Sequence, residues 1–267
     1  MGNFFPRWTN WLPLKLAIAL GFIVLGVSVG VAYYSTPKYT RVGYEPTQPV
    51  PFSHKIHAGQ LCLDCRYCHS FVEASSHANV PTNQTCFNCH GPGKGNIRSD
   101  SPHLEKVVKA QETGQPIPWV KVHKAPDYVY FNHSAHLNRG ISCQSCHGKV
   151  NEMEVVRHDQ PQSMGWCLDC HRNPENNLRP LDQVTNLNYE PGQLDRAAFY
   201  QSLLGRGVHT DEIAAVIDAD KKAATVEELV ALATKKYGNE VTQLEVGSQL
   251  KKHWQVQPPD SCTACHR

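Results

Sequence analysis

Residues 131–147 read Phe131-Asn-His133-Ser-Ala-His136, six further residues, then Cys143-Gln-Ser-Cys146-His147. The second half is C-x-x-C-H, the attachment signature of a c-type haem. Its two thiols bond to the porphyrin edge, and the adjacent imidazole is placed to ligate the iron from one side. The first half adds two imidazoles, three residues apart, as candidates for the opposite face. The same signature recurs at Cys65-Cys68-His69, Cys86-Cys89-His90, Cys167-Cys170-His171 and Cys262-Cys265-His266. One such match arises by chance; five in one chain point to five covalent haem c groups.

The composition agrees. Only 8 Phe and 3 Met stand among 18 Gly and 18 Pro in 267 residues, a thin supply for a large apolar core. Porphyrins are apolar plates around which such a chain can pack. A net charge of +2 provides no basic face, so nucleic acid is not an expected partner. Ten of the 11 cysteines belong to the five motifs, leaving Cys62. Cys62-x-x-Cys65 has no histidine directly after it, so Cys65-Cys68-His69 is the haem site and Cys62 is expected to be a small buried residue beside it. Covalent haem attachment takes place outside the cytoplasm, which puts the bulk of the chain on the periplasmic side.

From Leu16 to Thr36 no residue is charged, and about 20 apolar residues suffice to cross a bilayer as a helix. Trp11 on one side and Tyr33-Tyr34 on the other fit interfacial aromatic belts. The expectation is a retained single-pass anchor in the cytoplasmic membrane over residues 12–35, with 1–11 in the cytoplasm. The rival is a cleaved signal peptide ending near Gly30-Val-Ala32. Gly26-Val-Ser-Val-Gly30 is a G-x-x-x-G pattern that permits close approach of a second membrane helix. Residues 36–51 form a connector without periodicity.

An internal repeat follows over residues 52–180. Phe52-Ser-His54-Lys-Ile-His57 precedes the Cys65 motif by seven residues, as Phe131–His136 precedes the Cys143 motif by six, and a further motif follows each. Residues 91–130 are punctuated by Gly and Pro, with a short helix expected near Leu104–Gln111. Residues 181–257 carry no haem motif and read as helical over 190–240. Thr225 with Glu228 forms a capping box, Gly238 suits a helix end, and Thr210, Ile213, Val216 and Ile217 mark another helix. These helices are expected to cover a haem face or dock a partner. The fifth motif occupies 258–267. The fold class is therefore mainly α and irregular: a multihaem cytochrome c fold organised by five haems, with one N-terminal transmembrane helix.

Five of the 15 histidines, His69, His90, His147, His171 and His266, are motif ligands, leaving ten for five opposite faces. His54, His57, His133 and His136 have the strongest claim, because an i, i+3 spacing lets two neighbouring imidazoles reach two irons. The same device resembles that of small tetrahaem cytochromes of the c3 type. The fifth position is contested. Met153 is favoured, since a thioether raises the potential relative to bis-histidine ligation; Met164 lies too close to Cys167, and His77 and His158 each stand nine residues before a motif. His103, His123, His209 and His253 read as surface or hydrogen-bonding groups, His123 being a further contender.

Several runs carry a family resemblance: Tyr33-Tyr34-Ser-Thr-Pro37, Pro49-Val-Pro-Phe-Ser-His54, Asp64-Cys-Arg-Tyr-Cys-His69, Trp119-Val-Lys-Val-His123, Tyr130-Phe-Asn-His133 and Ser163-Met-Gly-Trp-Cys167. Together they resemble the pentahaem cytochrome subunit of alternative complex III, a bacterial quinol:acceptor oxidoreductase. The resemblance covers residues 1–180 and the final ten, and Cys62 stands where the family pattern has glycine. It implies a membrane-anchored relay that is not itself an enzyme. Its partners would be membrane lipid, an iron–sulfur subunit, a quinol-oxidising integral membrane subunit, and a monohaem cytochrome c or terminal oxidase. It also implies one His/Met haem among bis-histidine ones. Two other readings compete: a self-sufficient quinol dehydrogenase, disfavoured by the long connector before Cys65, and a multihaem reductase with an open iron.

Overall fold

A computed structural model of the chain describes residues 6–35 and 41–266, in two units, 1–43 and 44–267. In the first unit a 3-10 turn, Arg7–Trp11, runs into a 24-residue α-helix, Leu12–Ser35. At about 1.5 Å rise per residue that helix spans roughly 36 Å, more than the ~30 Å hydrocarbon core of a bilayer. Its most apolar window has a mean hydropathy of 2.3, and none of its residues is buried. A helix satisfies every backbone polar group internally, as lipid requires. It is long and apolar enough to cross a membrane, and it begins and ends where expected. Residues 1–5, the start of the connector at 36–40 and Arg267 lie outside the described residues.

Among the described residues of the second unit no strand occurs, only the isolated bridges Val129↔His266 and Ile141↔Leu178. The C-x-x-C-H motifs sit on short helices: Cys65–Cys68, Asn83–His90, Cys143–His147, Met164–Arg172 and Cys262–Cys265. Helices of four or five residues do not persist alone, since nucleation costs more than so few hydrogen bonds return. Side-chain caps help: Asp64 accepts from the Arg66 N–H, Ser142 from Gln144 and Ser163 from Trp166. The helix expected near 104–111 is Glu105–Thr113 behind a 3-10 turn, Pro102–Leu104.

The helical segment after Pro180 has the largest apolar core. Helices Arg196–Leu204, Thr210–Ile217, Val226–Tyr237 and Gln243–His253 bury Phe199, Tyr200, Leu203, Ile213, Ile217, Leu229 and Val246 against one another. Thr225 caps the third helix as expected, accepting from the Glu228 N–H, while the Glu228 carboxylate reaches back to the Ala224 N–H at 2.6 Å. Gly238 ends that helix with φ 89°. Through this core runs an ion pair with no sequence signature. Arg196 donates from Nε and Nη2 to the Glu245 carboxylate at 2.8 Å each, and Tyr200 Oη donates to the same carboxylate at 2.5 Å.

The last of these helices seats the segment against the fourth motif. At Gly247 a methyl group would fall 1.8 Å from the Glu175 carbonyl oxygen, so only glycine permits the approach. Gln243 donates to the Glu175 and Leu178 carbonyls at 3.1 and 2.7 Å, and Lys251 pairs with the Glu175 carboxylate at 2.7 Å. Removing one partner of a buried pair leaves an uncompensated charge and costs about 3–5 kcal/mol. Glu245→Gln, which strands Arg196 with little change in volume, should therefore lower the denaturant midpoint markedly. An unchanged midpoint in a urea titration followed by circular dichroism would deny the pair that role.

Candidate metal centres

The repeat seen in the sequence is a repeat in space. Phe52 meets His54 edge-on (centroids 4.8 Å, 86°) and stacks on His57 (4.3 Å, 24°). Phe131 does the same with His133 (4.8 Å, 89°) and His136 (4.5 Å, 28°). Each Phe thus holds two imidazoles in different planes, which explains the leading aromatic of F-x-H-x-x-H.

The ring nitrogens differ in what occupies Nδ1. A carbonyl oxygen can only accept, so a ring Nδ1 facing one carries the hydrogen and leaves the Nε2 lone pair free for a metal. Seven histidines have this arrangement. His69 Nδ1 faces the Asn79 carbonyl (2.7 Å), His90 that of Ile97 (2.6 Å), His171 that of Pro259 (2.5 Å) and His266 that of Tyr128 (3.2 Å). His57 faces Ser53 (2.8 Å), His133 faces Ser76 (2.8 Å) and His136 faces Asn132 (2.7 Å). All seven come from the motifs or from F-x-H-x-x-H. His253, by contrast, uses Nε2 to contact Gln249 Oε1 at 2.9 Å.

Three ring pairs have a separation that decides their fit to a metal. With a metal–nitrogen bond of about 2 Å on each side and each nitrogen about 1 Å from its ring centre, imidazoles on opposite faces of one ion lie roughly 6 Å apart, centre to centre. His57 and His90 are 6.1 Å apart, His136 and His171 6.0 Å, and His133 and His147 6.5 Å. His54 lies within electrostatic reach of His69: burial, then His69 and His57, push its pKa down to about 4. No group of three or more His, Cys, Asp or Glu among the described residues could hold a bare ion. Two facing imidazoles without equatorial donors, beside a pair of cysteines, fit a haem. His133 and His136 thus face different motif histidines, as the spacing predicts.

The thiols set the motifs in a line. Cys65 is hydrogen-bonded to Cys143, joining the first motif to the third. Burial, then Cys86 and other nearby thiols, raises Cys68, which puts the second motif beside the first. Burial raises Cys146 to about 12, with Cys170 and Cys167 adding to it, so the fourth motif adjoins the third. Burial and then Cys265 raise Cys167, bringing in the fifth. The thiols thus join the second motif to the first, the first to the third, the third to the fourth and the fourth to the fifth.

Two backbone bonds related by the repeat clamp the halves: Ser134 N–H to the Ser75 carbonyl at 3.1 Å, and Lys55 N–H to the Met153 carbonyl at 3.0 Å. Met153 is 4% exposed and lies beside the His54 segment, whereas Met164 is 68% exposed. His77, His103 and His209 are exposed. His158 is buried and stacks on His123 at 5.0 Å, so the matched spacing of His77 and His158 does not give them matched surroundings.

Cys62 is a correction: it is exposed, not buried, and has φ 54°. Three residues before the Cys143 motif, the equivalent Gly140 has φ 82°. The left-handed conformation favours glycine, so Cys62 occupies a backbone position that its counterpart in the second repeat fills with glycine. The extra residue of the first repeat is absorbed in a π-helical turn, Lys55–Gln60, where the second has a plain α-helix, His133–Leu137.

The sequence profile described as cytochrome c7 and related cytochrome c matches residues 129–189, which hold the second F-x-H-x-x-H and the third and fourth motifs. The menaquinone reductase multihaem cytochrome c subunit of Nitratidesulfovibrio vulgaris is 32% identical over 177 residues, covering 59% of this chain and 81% of that protein.

If His136 serves the fourth motif, His136→Ala should convert one haem to high spin in the electron paramagnetic resonance spectrum of the loaded protein. In a chain lacking the fourth attachment site (Cys167→Ala with Cys170→Ala) the same substitution should add no high-spin signal. A new high-spin signal in that background would instead tie His136 to the third motif.

Proposed function

This chain belongs to the family of multihaem cytochrome c subunits that includes the menaquinone reductase subunit, and we propose that it is a membrane-anchored electron relay carrying five covalent haem c groups. The observation that carries this reading is that the two F-x-H-x-x-H turns set an imidazole opposite three motif histidines, His57 at 6.1 Å from His90, His136 at 6.0 Å from His171 and His133 at 6.5 Å from His147. When bound, haem c supplies a one-electron iron couple. The ten motif cysteines would tether the porphyrins, His69, His90, His147, His171 and His266 would each ligate an iron, and His54, His57, His133 and His136 would supply a second imidazole to four of them. Such pairing leaves those irons no open position for a substrate, which favours a relay over a reductase. Met153, buried beside the His54 segment, remains the proposed thioether ligand for the haem that those four imidazoles leave.

The Leu12–Ser35 helix would hold the relay to the cytoplasmic membrane, with residues 1–11 inside and the motifs on the periplasmic side. The finer reading is the pentahaem subunit of alternative complex III. There, electrons would come from a quinol-oxidising membrane subunit, in a complex with an iron–sulfur protein, and leave to a monohaem cytochrome c or terminal oxidase. The name of the relative favours a second reading with the opposite direction, from a periplasmic donor to menaquinone.

The test compares the isolated chain with the intact complex purified through it. The complex should reduce cytochrome c with menaquinol, while the isolated chain should exchange electrons with cytochrome c yet not turn over menaquinol. Appreciable quinol oxidation by the isolated chain would overturn the relay. A complex that reduces menaquinone but does not oxidise menaquinol would establish the opposite direction.

A further inference from the structure

Four of the five motif histidines, His69, His90, His171 and His266, face main-chain carbonyls through Nδ1. His147 does not. Its Nδ1 lies 3.3 Å from Nε2 of His123, and the two rings meet edge-on (centroids 4.3 Å, 85°). His123 is itself stacked on His158, at 5.0 Å and 30°, and His158 is 3% exposed. The third motif, central in the line, is thus the one whose motif imidazole is supported by a side chain.

A neutral ring that offers Nε2 to a metal carries its hydrogen on Nδ1. His123 Nε2 must then be the acceptor, and the hydrogen of His123 sits on its own Nδ1. An acceptor at Nδ1 moves electron density toward Nε2, strengthens the ligand and favours the more positive oxidation state of the metal.

We propose that His123 is a positioning residue for the third motif: it accepts the Nδ1–H of His147, fixes that ring's tautomer and plane, and lowers the reduction potential of the third haem. His158, stacked on His123, keeps the accepting ring in place. The proposal rests on the reading of His147 as an axial ligand.

Redox titration of the full-length, haem-loaded protein, followed by absorbance and electron paramagnetic resonance, tests it. His123→Leu removes the acceptor and should raise one midpoint potential by about tenfold in the reduction equilibrium, ~59 mV for one electron. The other potentials and the number of low-spin haems should stay as in the wild type. His123→Asn, which keeps a side-chain oxygen as acceptor, should return most of the shift. Should the leucine variant not accumulate, His123→Ala is read in its place, and added imidazole should reverse its shift. Unchanged potentials in the variants lacking the acceptor would overturn the proposal. So would the loss of a low-spin haem, which would make His123 an iron ligand. His147→Met separates the underlying reading: if it leaves every haem unaltered, His147 is not a ligand and the premise itself has failed.

Discussion

An imidazole is a defined ligand only when one ring nitrogen is committed elsewhere, and the Nδ1–H to carbonyl bond is the constraint on which this molecule depends. Three of the seven acceptors are remote in sequence. His133 reaches a carbonyl 57 residues away, His171 one 88 away and His266 one 138 away. Each of these three bonds sets a tautomer and also ties two distant parts of the chain. With motif helices as short as four residues and the main apolar core centred on the 190–257 segment, these ties join parts of the chain that the core does not hold together. Ligand geometry and chain topology are one problem here.

The two repeats solve it reciprocally. Each lends a carbonyl, from Ser75 or Met153, to the helical turn of the other, and the equivalent thiols of Cys65 and Cys143 meet between them. The symmetry breaks at informative places. His133 has the Ser76 carbonyl at Nδ1, while the buried Nδ1 of its counterpart His54 has no hydrogen-bond partner. His69 faces the Asn79 carbonyl, while its counterpart His147 faces His123. Duplication alone would leave equal sites; with haems bound, these substitutions of acceptor would give them unequal potentials.

The motifs, the repeat, the Leu12–Ser35 helix and the Thr225 cap were legible because each rests on local spacing. So was the separation of His133, 6.5 Å from His147, from His136, 6.0 Å from His171, since i, i+3 neighbours on a short helix point to different places. The order of the motifs was not legible, because it depends on which thiols meet across more than 70 residues, as Cys65 and Cys143 do. The Arg196–Glu245 pair was hidden for the same reason, 49 residues separating partners that look like surface charges in sequence. Cys62 misled because composition favours burial of free thiols, whereas backbone conformation governs that position.

The central claim is that facing imidazoles, each with Nδ1 committed or buried, hold the four haems of the repeats. Low-temperature electron paramagnetic resonance of the oxidised full-length protein, with spins counted against total haem, tests it most directly. At least four of the five haems should be low-spin ferric, and added small ligands such as cyanide should leave those signals unchanged. High-spin signal from two or more haems per chain would contradict the pairing and the relay built on it.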